Sequence, residues 1–239
     1  MLVKINAIVL SKLKYRDNDL IVKCYSKQRG IVSYLVKGAL KSQKGSSKAV
    51  YFQPLSLVLI EEVFKPNQTL QSIKEIKIEY LYKTLHTDIL KTSIVMFLSE
   101  VLTSVLKEEE QNELLFDYIE NTLKWLDYQT EFSNFHLLFL LTLTKYLGFY
   151  PDDQNSASEY FNLSNGLFES KKDKFYSISG ENLTILKQLL GIDFDSVNTI
   201  KLNSKQRQSF LNMLILYFEL HLGDFKKPKS LQIFNQVFN

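Results

Sequence analysis

The apolar positions change their period once along the chain. Over the first 79 residues they alternate with polar ones in short runs, as strands require; from about Tyr80 they recur every three or four residues, as helices require. Leu2–Tyr15 is a first predicted strand, with Ile5, Ala7, Val9 and Leu13 on one face and Lys4, Lys12 and Lys14 on the other. Arg16-Asp17-Asn18-Asp19 is a polar turn of the Asx-rich kind. Leu20–Lys27 follows, with Leu20, Val22 and Cys24 inward and Lys23, Tyr25 and Lys27 outward. Gln28-Arg29-Gly30 turns the chain into a β-branched run, Ile31–Lys37. Gly38–Gln53, rich in Gly, Ser and Lys, breaks the alternation and is expected to be a mobile basic loop. Leu55–Val63 and Thr69–Ile78 are the fourth and fifth strands, parted by a turn at Pro66. Five short antiparallel strands in about 75 residues match the size of an OB-type barrel.

The helical part opens with Ile89, Leu90, Ile94, Phe97, Leu98, Val101, Leu102 and Val105 at helical spacing. Glu108-Glu109-Glu110 and Glu113 precede a second helix through Leu126, where acidic residues suit the helix dipole. Phe135–Phe149 is apolar on nearly all sides, so it is expected in the middle of a helical body, closed by Gly148 and Pro151. Residues 152–179 are polar and irregular, with strand-like pieces at Glu159–Leu163 and Gly166–Glu169. Gly180–Leu190 is a short helix, Ser204 is the expected N-cap of Lys205–Leu222, and a terminal helix carries Ile233, Phe234 and Val237. The fold class is therefore α+β: an N-terminal five-stranded antiparallel OB-type barrel over residues 1–79, then an all-α domain over residues 80–239.

Composition adds limits. Hydrophobic content of 45% with 13% aromatic residues supplies a sizeable core and excludes global disorder. One cysteine, Cys24, permits neither an intrachain disulfide nor a cysteine-based zinc site. The longest uncharged apolar run, Phe132–Thr144, is too short for a bilayer, which needs roughly 18–20 residues. With no signal-peptide pattern after Met1, the expected location is the cytoplasm, with no membrane partner.

Charge changes the picture most. Residues 1–50 hold 11 Lys+Arg against 2 Asp+Glu, a balance of +9; the other 189 residues hold 18 against 24, a balance of −6. A basic head on an acidic body points to a polyanion. Lys12, Lys14, Arg16, Lys23, Lys27, Arg29, Lys37, Lys41, Lys44 and Lys48 share this head with Tyr15, Tyr25, Tyr34, Tyr51 and Phe52. Cations neutralise phosphates and aromatic rings stack on bases, and OB-type barrels use strands two and three for such contacts. Tyr25, between Lys23 and Lys27 on the outward face of strand two, is the expected stacking platform. Lysines also solubilise exposed strand edges, but the charge asymmetry favours nucleic acid. Enzyme signatures do not assemble. His86, His136 and His221 lack metal-ligand spacing, Asp152-Asp153 belongs to a turn, and no phosphate-binding, dinucleotide-binding or nucleophile-elbow motif occurs. The expectation is a protein that is not an enzyme and needs no cofactor.

Several fragments in order give a resemblance. Ala7-Ile8-Val9-Leu10 with Tyr15-Arg16-Asp17-Asn18-Asp19, then Arg29-Gly30 and Val36-Lys37-Gly38-Ala39, look like the opening of the RecO family of bacterial recombination mediators. Tyr146-Leu147-Gly148-Phe149-Tyr150-Pro151, Tyr160-Phe161-Asn162-Leu163, Gly166-Leu167-Phe168, Leu222-Gly223 and Lys229-Ser230 are similar to its later segments. The resemblance spans the chain. It implies binding of single- and double-stranded DNA, annealing of complementary strands, and recombinase loading on DNA coated with single-strand binding protein. It also implies partnership with RecR and with the C-terminal tail of single-strand binding protein, at the bacterial nucleoid. Lys205 and Arg207, at the start of a helix, are the candidates for the basic rim of an apolar groove that takes that tail; the alternative for them is an exposed capping turn. Two departures stand out. Many members carry four zinc-binding cysteines in the segment that here holds Asn155 and Ser158, so zinc is not expected. The family's arginine after "lys-ser" is Leu231 here. Two other readings of the residues remain: an OB-fold protein that binds RNA, and a scaffold that binds an acidic peptide rather than DNA.

Overall fold

The structure, a computed structural model, describes residues 2–41, 48–106 and 111–238. The five strands form as β1 (Leu2–Tyr15), β2 (Asp19–Ser26), β3 (Gly30–Val36), β4 (Leu57–Val63) and β5 (Leu70–Tyr80). They close into a barrel in the order β1-β2-β3-β5-β4, with β4 returning to β1. Four of the five pairings are antiparallel; β3 and β5 run parallel and meet only at Ser33/Leu70 and Tyr34/Gln71. This corrects the all-antiparallel expectation for a simple reason. A closed ring of five strands cannot alternate direction throughout, so one seam must be parallel.

Ile5, Ala7, Val9, Leu20, Val22, Cys24, Tyr34, Val58 and Ile60 fill the barrel, and Phe52 enters from a 3-10 turn, Lys48–Phe52, between β3 and β4. The register of β1 shifts between Val9 and Ser11, a bulge at Leu10. Beyond it the faces exchange. Leu13, expected inward, is 66% exposed, while Lys12 and Lys14 stand opposite Val22 and Leu20. The barrel's other face is apolar too at Ile8, Leu10, Tyr25 and Leu57, all buried.

That outer face has a cover. The chain packs as two compact units, Met1–Tyr128 with Pro228–Ser230, and Gln129–Lys227 with Leu231–Asn239. The first unit thus adds α1 (Ile89–Val105) and α2 (Glu113–Tyr128) to the barrel, and α1 packs on β1. The change of period after residue 79 marks the end of the strands, whereas packing divides the chain after Tyr128. Asp88 caps α1 by accepting from the Lys91 N–H, and Asn112 accepts from the Leu115 N–H ahead of α2. The acidic residues 108–110 lie outside the described residues. Between β5 and α1 the chain is held by one buried carboxylate. Asp127 accepts from the N–H groups of Lys83, Thr84 and Leu85 at 2.8–2.9 Å, and the buried Lys91 ammonium donates to the Asp127 carbonyl and the Thr84 hydroxyl.

In the second unit α3 (Phe135–Tyr146) is buried along most of its length and packs against α5 (Ser204–His221), which also meets α4 (Gly180–Leu189). The N-cap of α5 is Asn203 rather than Ser204. The Asn203 side chain accepts from the Gln206 N–H and the Gln206 side chain accepts from the Asn203 N–H, a complete capping box. The irregular segment folds as a small sheet of β6 (Tyr160–Asn162), β7 (Leu167–Glu169) and β8 (Ser177–Ile178), in the order β7-β6-β8. Phe161 packs on Phe168 within the sheet and joins it to α5 through Tyr217. A final helix, α6 (Leu231–Val237), buries Phe234.

Candidate nucleic-acid interface

The strand connections sort the basic residues into two ends of the barrel. The β1–β2 turn, with Arg16 in the left-handed region at φ 55°, lies beside the end of β3. The Gly38 N–H donates to the Asp19 carboxylate at 2.8 Å, and the Leu40 N–H donates to the Asn18 carbonyl at 3.0 Å. The Ala49 N–H donates to the Ala39 carbonyl at 3.2 Å, which brings the 3-10 turn to the same place. These bonds assemble Lys12, Lys14, Arg16, Lys37, Lys41 and Lys48 from three separate stretches. All six are exposed, and among the described residues none forms an ion pair. Arg16 lies over the Tyr15 ring, 5.1 Å from its centre. Lys23 sits mid-strand, half-buried, between Ser11 and Ser33. Lys44 lies outside the described residues.

Tyr25, Lys27 and Arg29 belong to the other end and are already engaged. Tyr25 is 1% exposed; its hydroxyl donates to the Asn112 carbonyl at 3.0 Å and its ring meets Phe116. It offers no free face for a base. The Lys27 ammonium donates to the Asp117 carboxylate at 2.6 Å, a bond that raises its pKa while burial opposes the rise. Arg29 pairs with Glu62, which points into the barrel and is fully buried, and its guanidinium covers the Phe64 ring at 4.1 Å. The pair stoppers this end of the barrel. Sequence pattern could give the outward direction of Tyr25 and Lys27, but not that α2 would cover that direction.

A groove of about 490 Å³ lies where β3 and β5 part beyond their two shared pairs. Val50, Tyr51, Ile73 and Ile76 line it, with Lys37, Lys48 and Lys74. Of these, Lys74 is absent from the sequence-based site because it lies outside the basic head. A larger groove, about 700 Å³, opens beside Arg29 and Phe64, with mostly uncharged polar walls that include Gln28, Gln68 and Gln71.

In the second unit, Lys205 is exposed and Arg207 is half-buried. The Arg207 guanidinium folds back on the start of its own helix, donating to the Leu202 carbonyl and the Ser204 hydroxyl. Beside it His136 is buried under Phe234 and Phe238. Burial first, and the neighbouring Arg207 charge second, push the His136 pKa down to about 3. The space among these residues is about 10 Å³, room for one water molecule rather than a peptide. His86 and His221 bond the carbonyls of Pro54 and Leu163. Among the described residues no three His, Cys, Asp or Glu side chains are grouped to hold a metal ion, and no helix is long and apolar enough to cross a membrane.

Comparison with known sequences covers both parts of the chain. Residues 1–82 match the family model for the N-terminal part of recombination protein O, and residues 86–232 match that for its C-terminal part. Among curated relatives, the DNA repair protein RecO of Flavobacterium johnsoniae is 45% identical, and that of Christiangramia forsetii 44%. The protein of the same name from Bacteroides fragilis is 36% identical. Each similarity covers the whole of both chains. With a barrel, a helical body and both family models matched in sequence, this chain belongs to the RecO family of DNA repair proteins.

Proposed function

We propose that this protein is a non-enzymatic mediator of recombinational repair. It binds single- and double-stranded DNA at the basic end of its barrel, anneals complementary strands and assists recombinase loading on DNA coated with single-strand binding protein. One observation carries the reading: six exposed cations from three chain segments share that end without an ion pair among the described residues. Two DNA strands repel through their phosphates. A cationic surface that contacts phosphates of both offsets that repulsion and releases counterions, without reading sequence. The contact set is Lys12, Lys14, Arg16, Lys37, Lys41 and Lys48, with Lys23 at its border; Lys44, outside the described residues, is a further candidate.

RecR and the C-terminal tail of single-strand binding protein are the proposed protein partners. Lys205, exposed at the first turn of α5, is the better placed of the two basic candidates for the acidic tail, because Arg207 is committed to Leu202 and Ser204. The test is annealing of complementary strands coated with cognate single-strand binding protein. The wild-type chain should accelerate it, and the Lys12→Glu/Lys14→Glu/Lys48→Glu variant should not. Equal acceleration by both would overturn the reading. An RNA-binding role would show as RNA outcompeting DNA of equal length.

A further inference from the structure

The groove between β3, the 3-10 turn and β5 has a shape and charge that the general reading does not use. β3 and β5 touch through two residue pairs and then separate. The turn Lys48–Phe52 crosses the gap, anchored by Phe52 in the barrel core and by the Ala49–Ala39 hydrogen bond. The opening, about 490 Å³, is within the range of sites that enclose small organic ligands, roughly 300–1,000 Å³. Its apolar wall is fixed, because Tyr51, Ile73 and Ile76 are half-buried against the core. Its charges are unequal in kind. Lys74 is held by Glu61 at 2.9 Å and Glu75 by Lys77 at 3.0 Å. Lys37 and Lys48 are exposed and form no ion pair among the described residues. An aromatic and aliphatic wall beside two uncompensated cations complements a planar ring that carries phosphate on its flank.

Resting on the DNA-binding reading above, we propose that this groove holds one unpaired nucleotide of single-stranded DNA. The base lies against Tyr51 with Ile73 and Ile76, and the phosphates beside it face Lys37 and Lys48. A base inside a duplex is stacked and paired, and its removal costs a few kcal/mol. The groove therefore takes single strands and leaves duplex to the outer lysines. It gives the barrel a preference for the strand state that annealing consumes.

The experiment uses the full chain. Single-stranded oligonucleotides carrying 5-iododeoxyuridine are irradiated with the wild-type protein, and the crosslinked peptide is mapped. It should contain Tyr51, and the same oligonucleotide in a duplex should not yield it. Fluorescence anisotropy then compares Tyr51→Leu, which keeps apolar bulk against the core, with Tyr51→Phe, which keeps a ring. Tyr51→Leu should weaken single-strand binding by roughly 5- to 150-fold, the range of one lost base–aromatic stack. It should leave duplex affinity and the salt slope unchanged, and Tyr51→Phe should restore binding. Equal losses on both forms of DNA, no loss on either, or a crosslink elsewhere would overturn the groove assignment. Wild-type binding to both forms in those cases would leave the DNA-binding reading standing; failure of the wild type to bind either would end both.

Discussion

Arg29 offers the sharpest test, because sequence and structure give it different work. In the sequence it belongs to the basic head; in the fold it closes the barrel on Glu62. Replacing it by alanine leaves a carboxylate with no exposed surface and no counter-charge. Breaking a buried pair from one side costs about 3–5 kcal/mol. The lost contact with Phe64, 4.1 Å from guanidinium to ring centre, adds about 0.5–1 kcal/mol. A total of about 3.5–6 kcal/mol is a large part of the 5–15 kcal/mol that stabilises a typical domain. Urea unfolding, followed by circular dichroism, should therefore show a much lower midpoint for Arg29→Ala. The double variant Arg29→Met/Glu62→Leu should recover most of the loss, since an apolar pair of similar volume needs no counter-charge. Meanwhile, at temperatures where Arg29→Ala is folded, its DNA affinity should keep the wild-type salt slope. A stability change below about 1 kcal/mol together with a flatter salt slope would refute this account and return Arg29 to the DNA surface.

Three further outcomes follow from the same structure. Lys12→Ala/Lys14→Ala should reduce the salt slope for single-stranded DNA by about 1.4, near 0.7 per phosphate contact, whereas Lys27→Ala, already bound to Asp117, should leave it unchanged; anisotropy titrations from 50 to 300 mM salt, roughly the range where such slopes resolve, decide this. His136 is neutral in the fold down to about pH 3, but takes a proton near pH 6.5 when unfolded. The unfolded state thus binds more protons between those values, and stability should fall with falling pH by up to about 1.4 kcal/mol per unit; His136→Leu should flatten that part of the profile in urea melts, and an unchanged profile would count against the assignment. Gly166 has φ +72°, and a Cβ there would lie 2.8 Å from the Tyr217 hydroxyl, which itself donates to the Phe149 carbonyl. Gly166→Ala should cost about 1–3 kcal/mol by thermal unfolding, and Gly166→Ala/Tyr217→Phe should recover part of it.

The local elements were legible because their causes are local. Alternation placed all five strands and helical spacing placed the helices, from Ile94 and Phe97 in α1 to Phe210 and Leu214 in α5. What needed coordinates depends on partners distant in sequence. The bulge at Leu10 turns Leu13 outward, where a strict period of two from Ile5, Ala7 and Val9 puts it inward. Tyr25 points away from the barrel core as expected, yet Phe116 and Asn112 cover it from 87 or more residues away. Glu62, a carboxylate on the fourth strand, lies fully buried against Arg29, which no local pattern shows. The basic end was half legible: charge counting found its members, but only the bonds among the β1–β2 turn, the end of β3 and the 3-10 turn separate Lys12, Lys37 and Lys48 from Lys27 and Arg29.

The cover that α1 and α2 lay over the barrel has a consequence for how the protein can be divided, in the laboratory or by evolution. A fragment cut at residue 79 would keep every strand and lose its lid. Ile8, Leu10, Tyr25 and Leu57, all buried in the intact chain, would become one greasy flank open to water. Such a fragment should cling to its own copies and precipitate, whereas one that ends after Tyr128 keeps Asp127 clasping residues 83–85 and should remain dispersed. The barrel is therefore no freestanding cassette: its strands and the two helices that cover them form one folding unit.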